Sequence, residues 1–248
     1  MTKVAFILAA GLGSRMSPLT KTTPKPLLRI KGKPLIKFTL DLLKSHGFTN
    51  IGVNIFHHAN KLEKFLKKTD LQIVKEKALS GTAGGVLEIS KKMKPDSPFL
   101  VIAPDMLINF DLSKIYKFHL KHKGSATVCC YFRPKSALDT KKSGQVVFDK
   151  KTGKIKHIAE RRDKIISRWV NSSIYIFSPE VITLIKGLRV KQPDIPTDLI
   201  PLLLNLDKQV YAYPINSKKF YQLGIDTPGR IKIAEADIDS GKFLPTIP

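Results

Sequence analysis

The chain has 248 residues, of which 42% are hydrophobic and 25% are charged, a composition typical of a globular protein that is long enough to bury a sizeable core. It contains no apolar run as long as a membrane span and no signal-peptide pattern, so we expect a cytoplasmic protein that does not enter a membrane. The formal net charge is +23. Because the lysine pairs are spread along the chain without an aromatic-rich basic segment, this charge favours a solvated lysine surface over a nucleic-acid site.

The chain begins with an apolar run that leads into a glycine-rich, basic loop. Residues 4–9 are predicted to form a buried parallel strand. Small residues follow it: Ala9, Ala10, Gly11 and Gly13. They allow a ligand to approach the backbone, where successive N–H groups can form an anion-binding concavity, and Arg15 and Lys25 add positive charge. The loop is therefore predicted to bind phosphate, although neither common glycine-rich phosphate motif fits it.

Strands and helices then alternate, as in a doubly wound parallel sheet. Periodicity predicts helices at 34–46, about 59–68 and about 82–93, and strands at 50–56, 71–75 and 99–103. The last of these strands ends at Pro104 and Asp105. Ligands of open α/β sheets bind beyond the carboxyl ends of the strands, so Asp105 is a candidate ligand-binding residue.

After residue 124 the pattern becomes richer in strands. It predicts strands at 125–132 and 168–177, a hairpin within 144–159, a short helix that starts at 178–180, and helices at 194–206 and after 228. Cys129 and Cys130 are neighbours in a predicted strand and point to opposite faces, which favours two buried thiols over a disulfide or a metal pair. His57 and His58 follow a strand and are predicted to be ordinary loop histidines.

The motif Leu-Ala-Ala-Gly-x-Gly-x-Arg-Met-x-Pro-Leu-Thr, followed by Pro-Lys-Pro-Leu, lies within residues 4–27. It closely resembles the signature of the sugar-phosphate nucleotidyltransferases, also called nucleotide-sugar pyrophosphorylases. The resemblance implies an α/β, Rossmann-like fold with a doubly wound, mostly parallel sheet and an inserted β-rich substrate lobe. Residues 1–248 would form one domain, with a nucleotide-binding core at 1–124 and a sugar-phosphate-binding lobe with closing elements at 125–248. The length of the chain favours compact members, such as those that act on N-acetylmuramate 1-phosphate or heptose 1-phosphate.

The resemblance also implies roles for residues of the first half. Arg15 and Lys25 would be catalytic. The nucleotide would be bound by Leu8, Ala9, Ala10, Gly11, Gly13, Glu76, Gly81 and Thr82. Among these, Glu76 would read the base, and Gly81 and Thr82 would open a helix whose N-terminal N–H groups face the ligand.

Other residues that resemble the family's segments would bind the acceptor and the metal. The sugar phosphate would be bound by Gly144, Glu160, Arg161 and Asn171, with Gly144 allowing the sugar to lie near the backbone. Mg²⁺ would be held by Asp105 and Asp226. The family's second metal ligand aligns with Gly224 in a gapless comparison and with Asp226 in an Ile-Asp-Thr pattern, and Asp226 could instead be the N-cap of the final helix.

The implied activity is Mg²⁺-dependent transfer of a nucleotidyl group from a nucleoside triphosphate to a sugar 1-phosphate, which releases pyrophosphate. Such a reaction would supply precursors for a cell wall or surface polysaccharide. Two alternatives are a cytidylyltransferase that acts on phosphocholine and a non-catalytic sensor of nucleotide sugars. We expect a monomer or small homo-oligomer whose partners are the two substrates, without nucleic acid or membrane.

Overall fold

The computed structural model describes residues 2–133, 144–160 and 165–246. The strands are β1 (Lys3–Leu8), β2 (Arg29–Ile30), β3 (Lys33–Pro34), β4 (Phe48–Ile55), β5 (Gln72–Lys75), β6 (Phe99–Ile102), β7 (Met106–Ile108), β8 (Ala126–Phe132), β9 (Gln145–Phe148), β10 (Ile155–Ala159), β11 (Trp169–Phe177), β12 (Val210–Ile215) and β13 (Gln222–Gly224). The helices are α1 (Leu35–Ser45), α2 (Ala59–Leu66), α3 (Gly81–Met93), α4 (Leu112–His122), α5 (Val181–Gly187), α6 (Ile200–Asn205) and α7 (Pro228–Asp239). A π-helical turn, Ile195–Leu199, leads into α6.

Nine of the described strands form one mixed sheet. Its parallel part has the order β6-β1-β4-β5. The long strand β11 runs antiparallel to β6 along one edge and to β8 along the other, and β12 extends the sheet in parallel beside β8. The hairpin β9–β10 joins the beginning of β11. The predicted α/β class with a large, mostly parallel sheet is therefore confirmed.

Both faces of the sheet are covered, which explains the continuous apolar runs in its strands. Ala5 and Ile7 of β1 pack on one face, and Val4 and Phe6 pack on the other. The two cysteines divide in the same way, because Cys129 belongs to the first cluster and Cys130 to the second. This confirms the predicted buried thiols, and burial raises the pKa of both.

The elements predicted from periodicity are present, with ends displaced by one or two residues, and the structure adds α4 and the strands β2, β3, β7, β12 and β13. Helix α4 follows Asp111, whose carboxylate accepts a hydrogen bond of 2.9 Å from the Lys114 N–H. Its buried side chains recur at helical spacing: Leu112, Ile115, Tyr116 and His119. The N-cap aspartate and this spacing are signals from which the helix could have been predicted.

The small sheet of β7 and β13 places the end of β13 beside the end of β6. Gly224 pairs with Met106, and the Ile225 N–H donates to the Asp105 carbonyl oxygen at 2.8 Å. Helix α7 then packs on a third apolar cluster, which includes Ala234. In the part of the chain that the structure describes, no helix combines the length and apolar character needed to cross a membrane.

Candidate functional site

A cavity of about 680 Å³ lies at the carboxyl ends of β1, β4 and β6. Most of the residues singled out in the sequence line it: Leu8, Ala9, Ala10, Gly11, Gly13, Arg15, Lys25, Glu76, Gly81, Thr82, Asp105, Glu160, Asn171 and Asp226. Gly144 is not among the lining residues, and Arg161 lies outside the described residues. The topology thus brings residues from both halves of the chain to one cavity.

The loop after β1 folds back on itself, so that both of its predicted cations reach the cavity. Gly13 has a left-handed backbone (φ 64°), and a Cβ at this position would lie 3.1 Å from the side chains of both Lys25 and Thr20. The Thr20 hydroxyl donates to the Gly13 carbonyl oxygen at 3.0 Å. Glycine at this position therefore permits the close packing that carries Arg15 and Lys25 to the same side.

The two cations contact the two predicted metal-binding carboxylates. The Lys25 ammonium group donates to the Asp105 carboxylate, and Arg15 Nη1 lies 2.7 Å from Asp226 Oδ2. The side chain of Lys25 is 12% exposed and that of Arg15 is 61% exposed. One pair therefore lies inside the cavity and the other at its rim.

The position of Asp226 distinguishes between the three interpretations left open by the sequence. Gly224 lies within β13, whereas the Asp226 carboxylate lies in the cavity beside Arg15. The N-cap of α7 is Thr227, so the interpretation of Asp226 as the N-cap is wrong. Asp226 is therefore the residue of this segment whose carboxylate can reach a ligand in the cavity.

Asp105 and Asp226 form a donor set that fits Mg²⁺ accompanied by phosphate. Their backbones are joined through the Ile225 N–H, and each carboxylate already faces a positive charge. No group of three or more His, Cys, Asp or Glu side chains suited to a metal occurs in the described ranges. Mg²⁺ commonly binds one or two carboxylates together with substrate phosphates, and this donor set has that character.

A buried amide links the loop to the predicted base-reading residue. Asn54 Oδ1 accepts from the Ala9 N–H at 2.8 Å, and its Nδ2 donates to Glu76 Oε1 at 2.7 Å. Glu76 Oε2 in turn accepts from the Ser80 N–H at 3.2 Å. A Cβ at Gly85 would lie 2.5 Å from Asn54 Nδ2, so a glycine is needed to leave room for this amide. Glu76 lines the cavity and also connects Asn54 of β4 to Ser80, the residue before α3.

Asn54 was not predicted to belong to the site. It is a polar residue near the end of β4, among apolar neighbours, and it is 2% exposed. Buried amides require hydrogen-bond partners, so a polar residue in such a strand is a signal that could have indicated a contact with another segment.

The predicted availability of the N-terminal N–H groups of α3 is wrong for Thr82 and Ala83. The Thr82 N–H donates to Asp194 Oδ1 and the Ala83 N–H donates to the Pro193 carbonyl oxygen, so neither is free to face a ligand. The Thr82 hydroxyl completes the link, since it accepts from the Ile195 N–H at 2.8 Å. A Cβ at Gly81 would lie 2.5 Å from the Pro193 oxygen, so this glycine permits the approach of a protein segment.

The segment 194–197 forms part of the cavity wall and was not predicted as such. Asp194, Ile195, Pro196 and Thr197 all line the cavity. This segment was predicted to begin a helix. Pro193 and Pro196 were the available signals, but the contact of this segment with α3 spans more than a hundred residues of sequence.

The predicted role of Gly144 also requires a correction. A Cβ at Gly144 would collide with the Glu160 carboxylate, so the space in front of this glycine is occupied by Glu160 and is not open to a sugar. The Gly144 carbonyl oxygen accepts from the Asn171 N–H at 2.7 Å. Gly144 therefore positions two predicted acceptor residues, Glu160 and Asn171, while lying outside the cavity.

Asn171 lines the cavity, but its side chain is engaged locally. Its Oδ1 accepts from the Ser173 N–H at 3.0 Å, and its Nδ2 donates to the Tyr175 hydroxyl at 2.6 Å. Burial raises the pKa of Tyr175, which keeps this phenol protonated. One N–H of the Asn171 amide stays available for a ligand.

The two adjacent histidines support the loop from the side of α2. The rings of His57 and His58 both lie near the Thr20 carbonyl oxygen, with Nε2 at 3.3 and 3.2 Å. Thr20 is the residue that also bonds to Gly13. Both histidine rings therefore contact the loop at Thr20.

Comparison with known families identifies the chain. A family model described as nucleotidyl transferase matches residues 4–224. The chain belongs to the nucleotidyl transferase family. This match confirms the family inferred from the motifs, and it covers the cavity-lining residues from Leu8 to Thr197.

Individual relatives of this nucleotidyl transferase carry the names of sugar-1-phosphate enzymes. UTP–glucose-1-phosphate uridylyltransferase of a Synechocystis strain is 35% identical over 84% of this chain and 57% of its own length. Mannose-1-phosphate guanyltransferase beta-A of Xenopus laevis is 28% identical over 84% of this chain and 58% of its own length. The chain thus spans somewhat more than half the length of these curated relatives.

Solved structures share the fold at low sequence identity. A candidate glucose-1-phosphate thymidylyltransferase of Bacillus anthracis, in complex with a sucrose, has a TM-score of 0.82 at 21% identity and covers 94% of each chain. HddC of Yersinia pseudotuberculosis, complexed with GMP-PN, has a TM-score of 0.77 at 21% identity over 95% of this chain and 99% of its own. Both matches cover nearly the whole nucleotidyl transferase chain.

Proposed function

We propose that this nucleotidyl transferase joins a nucleoside triphosphate to a sugar 1-phosphate, which yields a nucleotide sugar and pyrophosphate. The observation that carries the proposal is the arrangement of the cavity. Cations and carboxylates suited to a triphosphate, including Lys25 and Asp105, share it with the hydrogen-bonding groups of Glu160 and Asn171, which suit a sugar. The names of the relatives support the same reaction.

In the proposed reaction an oxygen of the sugar phosphate attacks the α-phosphorus of the nucleotide. A new P–O bond forms as the bond to the bridging oxygen of the β-phosphate breaks, and pyrophosphate leaves. The step needs no protein nucleophile, so the protein acts mainly by positioning the reactants and stabilising charge. Lys25 would stabilise charge at the α-phosphate, and Arg15 would bind the triphosphate and the leaving pyrophosphate.

Asp105 and Asp226 would hold Mg²⁺, which when bound neutralises phosphate charge. Lys25 and Arg15 contact these carboxylates in the structure. When substrate enters, the two cations can release the carboxylates and bind phosphate oxygens instead. Glu76 would face the base, since each carboxylate oxygen keeps a second acceptor position beyond its bonds to Asn54 and Ser80. We place the reaction in the cytoplasm, in the synthesis of cell-wall or surface-polysaccharide precursors.

A pyrophosphate-release assay tests the proposal. The five common nucleoside triphosphates are each paired with the 1-phosphates of glucose, mannose, N-acetylmuramate and a heptose, and with phosphocholine, with Mg²⁺ present. We expect release with at least one sugar 1-phosphate. Release with CTP and phosphocholine alone would indicate the cytidylyltransferase alternative, and binding of nucleotide sugars without release in any pair would indicate a sensor.

A further inference from the structure

Ser173 has an unusual backbone for its place in the fold. Its φ is +53°, in the left-handed region that favours glycine. The other described non-glycine residues with positive φ lie at turns or helix ends: Lys31, His58, Lys94, Lys123 and Asp207. Ser173 differs from them because it lies within a strand, β11, and because it lines the cavity.

Neighbouring groups hold this conformation in place. The register between β11 and β8 shifts between Asn171 and Tyr175, which marks a β-bulge at Ser173. The Ser173 N–H donates to Asn171 Oδ1 at 3.0 Å, and its carbonyl oxygen accepts from the Ala103 N–H at 3.2 Å. The backbone of Ser173 is therefore fixed between the end of β6 and the amide of Asn171.

The hydroxyl of Ser173 makes no hydrogen bond to the described residues. Its backbone N–H and carbonyl groups, in contrast, are both hydrogen-bonded. Ala103, the backbone partner of Ser173 on one side, precedes Asp105 by two residues. Asn171 is the partner of Ser173 on the other side. The residue thus borders both the proposed phosphate region and the proposed acceptor region of the cavity.

A serine at this position has a conformational cost that glycine would avoid, and such strain is concentrated at functional sites. We propose that Ser173 is a specificity-determining residue whose hydroxyl hydrogen-bonds a hydroxyl group of the sugar 1-phosphate acceptor. Asn171 is a positioning residue for it, because its Oδ1 holds the bulge. This inference rests on the proposed function and assigns the acceptor contact within it.

Two variants separate the hydroxyl from the backbone strain. Ser173→Gly removes the hydroxyl and relieves the strain, whereas Ser173→Ala removes the hydroxyl and keeps the strain. Lys123→Gly is the matched control, since Lys123 has a similar φ of +49° at the end of α4 and is not among the cavity-lining residues. The melting temperature and the KM of each substrate are measured for all variants and the wild type.

We expect both Ser173 variants to raise the acceptor KM about 3- to 10-fold, the effect of one lost hydrogen bond, with the nucleotide KM unchanged. Ser173→Gly and Lys123→Gly should melt at a higher temperature than the wild type, and Ser173→Ala should not. An unchanged acceptor KM in both Ser173 variants would overturn the inference. An equal rise in both KM values would also overturn it, because that result indicates a distorted cavity.

A binding measurement keeps the inference separate from the proposed function. Glucose 1-phosphate and mannose 1-phosphate are added alone, and the shift in melting temperature is compared between the wild type and Ser173→Ala. If the wild type releases no pyrophosphate with any pair, the proposed reaction is wrong, and a smaller shift in Ser173→Ala still supports the sugar-phosphate contact. Equal shifts, or no shift in the wild type, overturn the contact.

Discussion

The two walls of the cavity are built in different ways. The phosphate wall (Gly13, Arg15, Lys25 and Asp105) lies at the ends of parallel strands and carries full charges in ion pairs. The acceptor wall (Glu160, Asn171, Ser173 and Tyr175) is centred on one bulged antiparallel strand and carries mostly neutral hydrogen-bonding groups. In the proposed reaction, the charges that would act in the transition state and the groups that would recognise the acceptor therefore come from different parts of the fold.

Substitutions should consequently separate the two walls kinetically. Changes in the phosphate wall should lower kcat, and changes in the acceptor wall should raise the acceptor KM. Within the phosphate wall, the effect of a substitution on kcat should be larger for a more buried charge, since electrostatic interactions weaken with exposure to water. Lys25 is 12% exposed and Arg15 is 61% exposed, so the inner pair should matter more than the rim pair.

The largest effect is expected for Lys25→Ala. Loss of a preorganised charge at the α-phosphate should lower kcat by about 10²-fold or more, with the melting temperature nearly unchanged. Lys21→Ala is the matched control, because Lys21 is an exposed lysine of the same loop that does not line the cavity. A near-normal kcat for Lys25→Ala would contradict the catalytic role of Lys25.

Asp105→Asn and Asp226→Asn test whether one or two carboxylates serve the metal. Each should lower kcat by about 10-fold or more and raise the Mg²⁺ concentration needed for half-maximal rate, because Mg²⁺ tolerates the loss of a ligand poorly. Asp105→Asn should have the larger effect, since Asp105 also contacts Lys25, the cation proposed to stabilise charge at the α-phosphate. Asp96→Asn, at an exposed site outside the cavity, serves as the control.

The Mg²⁺ titration of these variants also sharpens the comparison of the inner and rim pairs. If Asp226→Asn has the rate and the titration of the wild type, Asp105 alone holds the ion and Asp226 serves only Arg15 at the rim.

Glu160→Gln tests the acceptor wall. We expect the acceptor KM to rise about 10-fold while the nucleotide KM changes little, because Glu160 is proposed to meet only sugar hydroxyls. Gly144→Ala should produce the same pattern without altering Glu160 itself, since the added methyl group would displace the carboxylate. If both substrates are affected equally, the division of the cavity into two walls is wrong.

The smallest effect is expected for Thr82→Val, which tests the link between the halves of the chain. It removes the hydroxyl that bonds to Asp194 and accepts from the Ile195 N–H, so the free energy of unfolding should fall by about 1–2 kcal/mol. Denaturant unfolding measures this loss. Thr183→Val, at an exposed position of α5, is the control, and an equal loss in the two variants would show that the link does not stabilise the fold.

The sequence by itself determined much of the phosphate wall. The apolar strand, the glycine loop and the carboxylate at a strand end are local patterns, and the carboxyl ends of parallel strands meet at one edge of the sheet. Lys25 and Asp105, which are 80 positions apart, were therefore both predicted for the site that the structure brings together. Their roles in the reaction stay predictions.

Only the tertiary structure decided which polar groups have hydrogen-bond partners within the protein and which face the cavity. The N–H groups of Thr82 and Ala83 at the start of α3 looked available for a ligand but bond to Asp194 and Pro193, more than a hundred positions away. The absence of a side chain at Gly144 leaves room for the Glu160 carboxylate. The pairing of β13 with β7 keeps Gly224 in the strand and brings Asp226 into the cavity. Periodicity and motifs report local conformation and burial, whereas these contacts depend on how distant segments pack, and that information is not contained in any one segment.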